Sequence, residues 1–188
     1  MSSIMNLTGM YDWAVLECQR TDVAYSQTYR NQQTVNGITY YDCSSFTFFA
    51  MWLGGGLDVG ALGYSTNLSA YHNGTANAWT VTSMLRALST LPEVQQYSPR
   101  DVTWQAGDIL AKTRTHTEIC YAPPRQTMGA HNTARGISIN DFQTDVGYYD
   151  VLVRYTAEPG PIPPGPTQPM PSWLIKRAIE LHKGGIIM

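Results

Sequence analysis

Asp42-Cys43-Ser44-Ser45 lies between a β-prone run, Ile38 to Tyr41, and an apolar run, Phe46 to Leu53, that Gly54-Gly55-Gly56 halts. A cysteine at that junction occupies the first turn of a buried helix, where unpaired amide N–H groups and the positive end of the helix dipole face its sulfur. Such a setting favours the thiolate, which is the nucleophilic form. His116 and His131 stand on two short alternating segments separated by a turn at Pro123-Pro124, so adjacent strands can bring them side by side. One imidazole can then take the thiol proton while the other orients it. A single well-placed cysteine with histidines remote in sequence is the pattern of cysteine-nucleophile hydrolysis.

Blander roles compete for the same residues. Cys18 and Cys120 lie inside apolar periodic segments and read as buried structural cysteines. Cys43 differs through its flanks, an acid before it and two small hydroxyls after it. Asp42 and Ser44 are therefore expected to line the substrate or oxyanion position, with a serine capping the helix. His72 and His182 have no such support and read as surface residues. His116-Thr117-Glu118 matches the HxE half of the zinc deaminase signature, but the required PCxxC is missing. Two histidines and a cysteine this far apart form no zinc spacing, so neither metal nor cofactor is expected. There is no P-loop and no GxGxxG; the triple glycine follows a helix and acts as a stop.

These side chains need elements to hold them. Helices are predicted over 10–20, over 47–53 as an all-round apolar segment in the domain centre, and over 79–91, where Val81, Met84, Leu85 and Leu88 share one side. Residues 25–37 read as a surface loop and 57–71 as irregular. After Asp101 the pattern changes to short strands at 108–112, 115–121, 127–131, 136–140 and 148–155. Helices first and an antiparallel sheet second give an α+β layout, with the sheet against the Cys43 helix. Residues 158–171 are proline-rich and form a stiff extended linker, and 172–188 form a short helical tail with a basic excess. The tail is expected to contact the wall or a second copy of the chain.

Bulk composition narrows the partners. The chain has 188 residues, enough for one domain with a substantial core, and only 14% of them are charged. A net charge of −2 with no basic run argues against nucleic acid. The hydroxyl- and aromatic-rich surface suits glycans or peptides. Three cysteines without a CxxC argue against a disulfide framework and for synthesis in a reducing compartment. No secretory signal and no membrane-spanning stretch is read.

Taken in order, Tyr41-Asp42-Cys43-Ser44-Ser45, Ala106-Gly107-Asp108-Ile109, His116-Thr117 and Gly136-Ile137-Ser138-Ile139-Asn140-Asp141 resemble the NlpC-type papain-like cysteine peptidases. The nearest likeness is to their bacteriophage peptidoglycan hydrolase branch, amidase family 5, over about residues 8 to 156. That resemblance implies a papain-like fold with N-terminal helices on a central antiparallel sheet, and a catalytic domain over 1–157. It implies a Cys43 nucleophile, a His116 base and an orienting third residue, His131 or, in its place, Asn132. It also implies a site-lining tyrosine upstream, for which Tyr25 is the candidate. The sequence departs from the family by carrying Glu118 where glycine is usual, and by a longer step to His131. The implied function is an endolysin, most simply an N-acetylmuramoyl-L-alanine amidase. The alternatives are a stem-peptide or cross-bridge endopeptidase, in an endolysin or a tail-associated lysin, and a non-catalytic wall-binding or virion protein. The implied partner is bacterial peptidoglycan, reached from the host cytoplasm after holin-assisted release.

Overall fold

Asp42 decides where the central helix begins. The computed structural model describes residues 5–124, 126–140 and 146–156. In it the Asp42 backbone is extended and its carboxylate accepts from the Ser45 amide at 2.7 Å, while the Ser45 hydroxyl accepts from the Asp42 amide at 2.9 Å. This reciprocal capping box satisfies two otherwise unpaired donors and starts α2 (Cys43–Phe49) at the cysteine itself. The helix thus starts at Cys43, as the placement of the cysteine in its first turn requires, ahead of the apolar segment over 47–53.

Every residue of α2 is buried. Phe48 packs edge-on against Trp79 with ring centroids 5.1 Å apart, and Phe49 lies edge-on to Tyr71 at 5.5 Å. Such aromatic pairs add roughly 0.5–1.5 kcal/mol each beyond their buried area, which fixes the helix carrying the sulfur. The chain then widens into a π-helical turn over Ala50–Gly54 and leaves it through Gly56 at φ +71°. Helix α1 (Leu7–Gln19) crosses this turn at backbone contact: a Cβ on Gly9 would lie 2.4 Å from the Gly54 carbonyl oxygen. Only glycine permits that approach.

Two sheets complete the α+β architecture. A small mixed sheet joins β1 (Val23–Tyr25), β2 (Thr34–Val35) and β3 (Ile38–Tyr41), with β3 in the middle. Helices α3 (Leu68–His72) and α4 (Val81–Leu88) follow. The larger sheet has the order β4-β9-β5-β6-β7-β8, antiparallel throughout, formed by β4 (Val94–Tyr97), β5 (Ile109–Lys112), β6 (His116–Ala122), β7 (Gln126–Asn132), β8 (Gly136–Asn140) and β9 (Val151–Tyr155). The five predicted strands are present, the last shortened because residues 146–148 form a 3-10 turn. Short α3 and strands β1, β2 and β4 were not predicted; each is too brief to show a period. The α2 face and the inner side of β6 and β7 share one hydrophobic core, which includes Phe46, Met84, Ile119 and Met128.

Asp108 ties the sheet together. Gln105 donates its amide to Asp108 Oδ2 at 2.6 Å, Gly107 turns at φ +87°, and Arg154 of β9 grips both carboxylate oxygens at 2.8 and 2.7 Å. This two-pronged pair is the geometry in which arginine and carboxylate bind most strongly. The proline-rich linker and tail expected at 158–188 lie outside the described residues, as does His182. Among the described residues no helix is long and apolar enough to cross a membrane.

Candidate active site

Strand geometry puts three ionisable groups on one face of the sheet. Residues two apart on a strand point the same way, so His116 and Glu118 of β6 share a face. The β6–β7 register pairs Ile119 with Met128 and Cys120 with Thr127, and its extension sets His116 opposite His131. The β7–β8 register shifts between Ala130 and Asn132, a bulge at His131, the kind of irregularity that re-aims a side chain.

Glu118 is the hub. Its side chain is fully buried, and its Oε1 lies 2.7 Å from His116 Nε2 and 2.6 Å from His131 Nδ1. Tyr149 donates its hydroxyl to Oε2 at 2.8 Å, and the other nitrogen of His131, Nε2, donates to the Ser138 carbonyl at 2.9 Å. Burial opposes charge on Glu118, but the bonds from His116 and His131 outweigh it and hold the carboxyl well below its ordinary range. On His116 burial also opposes charge, and the interactions with Cys43 and Glu118 prevail, raising it from 6.5 to about 9. With Nε2 committed to Glu118, Nδ1 is the ring nitrogen left for the thiol.

Cys43 lies 5% exposed at the first position of α2, with its sulfur 4.0 Å from the Thr115 carbonyl. Thr115, His116, Glu118, His131 and Asn132 line an open cleft of about 580 Å³, joined by Tyr25, Arg135 and Tyr148. The other two thiols have different surroundings: burial pushes both Cys18 and Cys120 up to about 12. A nucleophile at a helix start, a ring beside it and a carboxylate behind that ring form a chain able to move a proton to and from sulfur.

Several expected residues stand elsewhere or act differently. Asp42 and Ser44, like Cys43 between them, are not among the residues that line this cleft. Asp42 is consumed by the cap and by an ion pair with Arg30 at 3.0 Å, and the Ser44 hydroxyl accepts from Arg30 at 2.9 Å. Burial forces these polar groups to partner one another. Asn132 accepts from the amides of Ala134 and Arg135 at 3.0 and 3.1 Å, holding the β7–β8 turn instead of the His116 ring. His131 reaches His116 through the Glu118 carboxylate, which stands between them. Tyr25 does line the cleft, and its hydroxyl accepts from the Gln27 side-chain amide. Burial and the neighbouring Cys43 and Asp42 charges raise its phenol above the ordinary value.

Glu118 and Tyr149 are the site residues that sequence reasoning missed. The signal for Glu118 was available in the two-residue step from His116 along an alternating strand.

Residues 8–89 match the model of a family described as bacteriophage peptidoglycan hydrolase. The matched span is less than half of the chain; it contains Cys43, its cap and α2, and stops before β5. No curated protein and no solved structure matches the chain. Over residues 8–89 this chain is similar to the bacteriophage peptidoglycan hydrolases, and that match supports a phage hydrolase acting on bacterial peptidoglycan.

Proposed function

We propose that the chain is an endolysin that cleaves an amide bond of peptidoglycan through Cys43, His116 and Glu118, and that the bond is the one between N-acetylmuramic acid and L-alanine. The observation that carries this reading is the placement of His116, which interacts with Cys43 and bonds Glu118 through Nε2 at 2.7 Å. The thiolate attacks the amide carbonyl carbon, and a C–S bond forms as the carbonyl oxygen takes up negative charge. The Cys43 amide N–H at the helix start, helped by Tyr25, stabilises that oxyanion. His116 Nδ1–H protonates the departing amine, the C–N bond breaks and a thioester remains. His116 then takes a proton from water, whose oxygen attacks the thioester. The C–S bond breaks and releases the acid. Glu118 keeps Nε2 protonated and the ring oriented throughout, as an acidic third member does for a base.

Cys43→Ala is expected to abolish the clearing of a turbid wall suspension while leaving the circular dichroism spectrum and melting temperature near those of the parent. Clearing at near the parent rate would remove Cys43 as nucleophile. Mass spectrometry of the products identifies the bond: free stem peptides beside intact glycan mark the amidase, whereas cleaved stems mark an endopeptidase.

A further inference from the structure

We propose that His116, Glu118 and His131 form a binding site for a divalent transition cation of the zinc class, and that filling it switches the hydrolase off. The switching half rests on the function proposed above; the binding half does not. One ligand atom from each residue lies within 4.8 Å of the other two, in a set of two imidazoles and one carboxylate. Such a set suits zinc and its neighbours, whereas calcium and magnesium favour all-oxygen cages.

The surroundings of His131 provide a second, independent indication. Its Nε2 faces the Ser138 carbonyl at 2.9 Å and its Nδ1 faces Glu118 Oε1 at 2.6 Å, so both ring nitrogens look at acceptors. Both nitrogens of one ring thus face oxygen atoms, with Nδ1 directed at the carboxylate it shares with His116. A ring whose outer N–H is held by a backbone carbonyl while the other nitrogen points into a carboxylate is also how metal-bound histidines are oriented. Tyr149 supports the far oxygen of Glu118 at 2.8 Å, so the carboxylate is held in the same manner.

Access and size agree. All three residues border the open cleft, with Glu118 buried behind the two imidazoles, so an incoming cation would pass between the rings and can keep a water as a fourth ligand. The present contacts of 2.6 and 2.7 Å must open to about 3.3 Å for tetrahedral bonds near 2.0–2.1 Å, a small swing of two side chains. The effect on chemistry follows from counting protons. When His116 Nε2 gives its lone pair to the metal, the ring's one proton must reside on Nδ1, the nitrogen left for the thiol. The ring can then no longer accept the Cys43 proton, and the carboxylate that oriented it is occupied.

The test uses the full chain carrying Cys43→Ala, which removes the thiol as a competing ligand. Calorimetric titration with zinc chloride should show one site per chain with proton release, and magnesium chloride should show none. Adding His131→Ala should weaken zinc binding about tenfold or more. Without touching the cluster, zinc should move the ring ¹⁵N signals of His116 and His131 in the same Cys43→Ala chain, a readout independent of how the cluster variants fold. No binding, an affinity unchanged by His131→Ala, or unmoved ring signals would each overturn the site. In the parent chain, zinc should stop wall clearing and a chelator should restore it; clearing that persists at saturating zinc overturns the switch. A metal-free chain that never clears walls overturns the hydrolase function and the switch with it, while cation binding is still decided by calorimetry and ring signals.

Discussion

Glu118 follows His116 by two residues on β6, and its Oε1 meets the His116 Nε2 at 2.7 Å, a contact that strand periodicity alone makes available. The buried carboxylate both aims the ring and supports its positive form. Glu118→Gln keeps the shape and removes the charge. The turnover rate should fall on the order of 10²-fold with little change in KM. The alkaline limb of the pH–rate profile should move down from about 9, the position to which Cys43 and Glu118 raise His116 against the opposing effect of burial. Turnover and an alkaline limb that both match the parent would show that Glu118 does not act through the ring.

Tyr149 is 2% exposed and gives its hydroxyl to Glu118 Oε2 at 2.8 Å. Tyr149→Phe leaves a buried, charged oxygen short of a donor. Chemical denaturation should report a loss of about 1–3 kcal/mol, with wall clearing reduced less than by Glu118→Gln. An unchanged denaturation midpoint would mean that water or another group replaces the phenol.

The same cluster sets a stability window in pH. Burial opposes the Glu118 charge, and the bonds from His116 and His131 overcome it, so the folded carboxyl lies below its ordinary 4.5. A depressed carboxyl contributes stability above its unfolded value, and that contribution is lost as pH falls below 4.5. His116 has the opposite sign: raised from 6.5 to about 9, it contributes fully below 6.5 and loses that contribution as pH rises through about 9. Both contributions are complete only between 4.5 and 6.5. The melting temperature should peak there and decline on both sides, and Glu118→Gln should flatten both flanks. A parent melting temperature that stays level from 6.5 through 9 would contradict the assignment for His116.

Local chemistry explains which parts of this arrangement could be read from residues alone. Asp42 and Ser45 are a capping pair at fixed spacing, so the helix start at Cys43 is written in four adjacent residues. His116 and His131 stand on strands whose alternation is visible, and their pairing across one hairpin needs no distant information. Glu118 stands where the family resemblance places a glycine, and its part in the site shows only beside its neighbour two residues back. Nothing near Asp42 and Ser44 in sequence announces Arg30, which arrives from the preceding loop to bond both. The bulge at His131 depends on how β7 meets β8, a long-range match that no short window records. The turn that Asn132 closes depends on the same match, and its side chain accepts from the Ala134 and Arg135 amides there.

Strand β9, the last in chain order among the described strands, lies between β4 and β5 in the interior of the larger sheet. A nascent polypeptide therefore cannot zip this sheet until residues 151–155 have left the ribosome, and until then β5 presents a bare hydrogen-bonding border. The thiol of α2 and the imidazole of β6 both precede β9, so the sheet that carries His116 gains its last interior strand only after both groups have been made. Fragments cut before residue 151 should therefore expose the β5 border and clump.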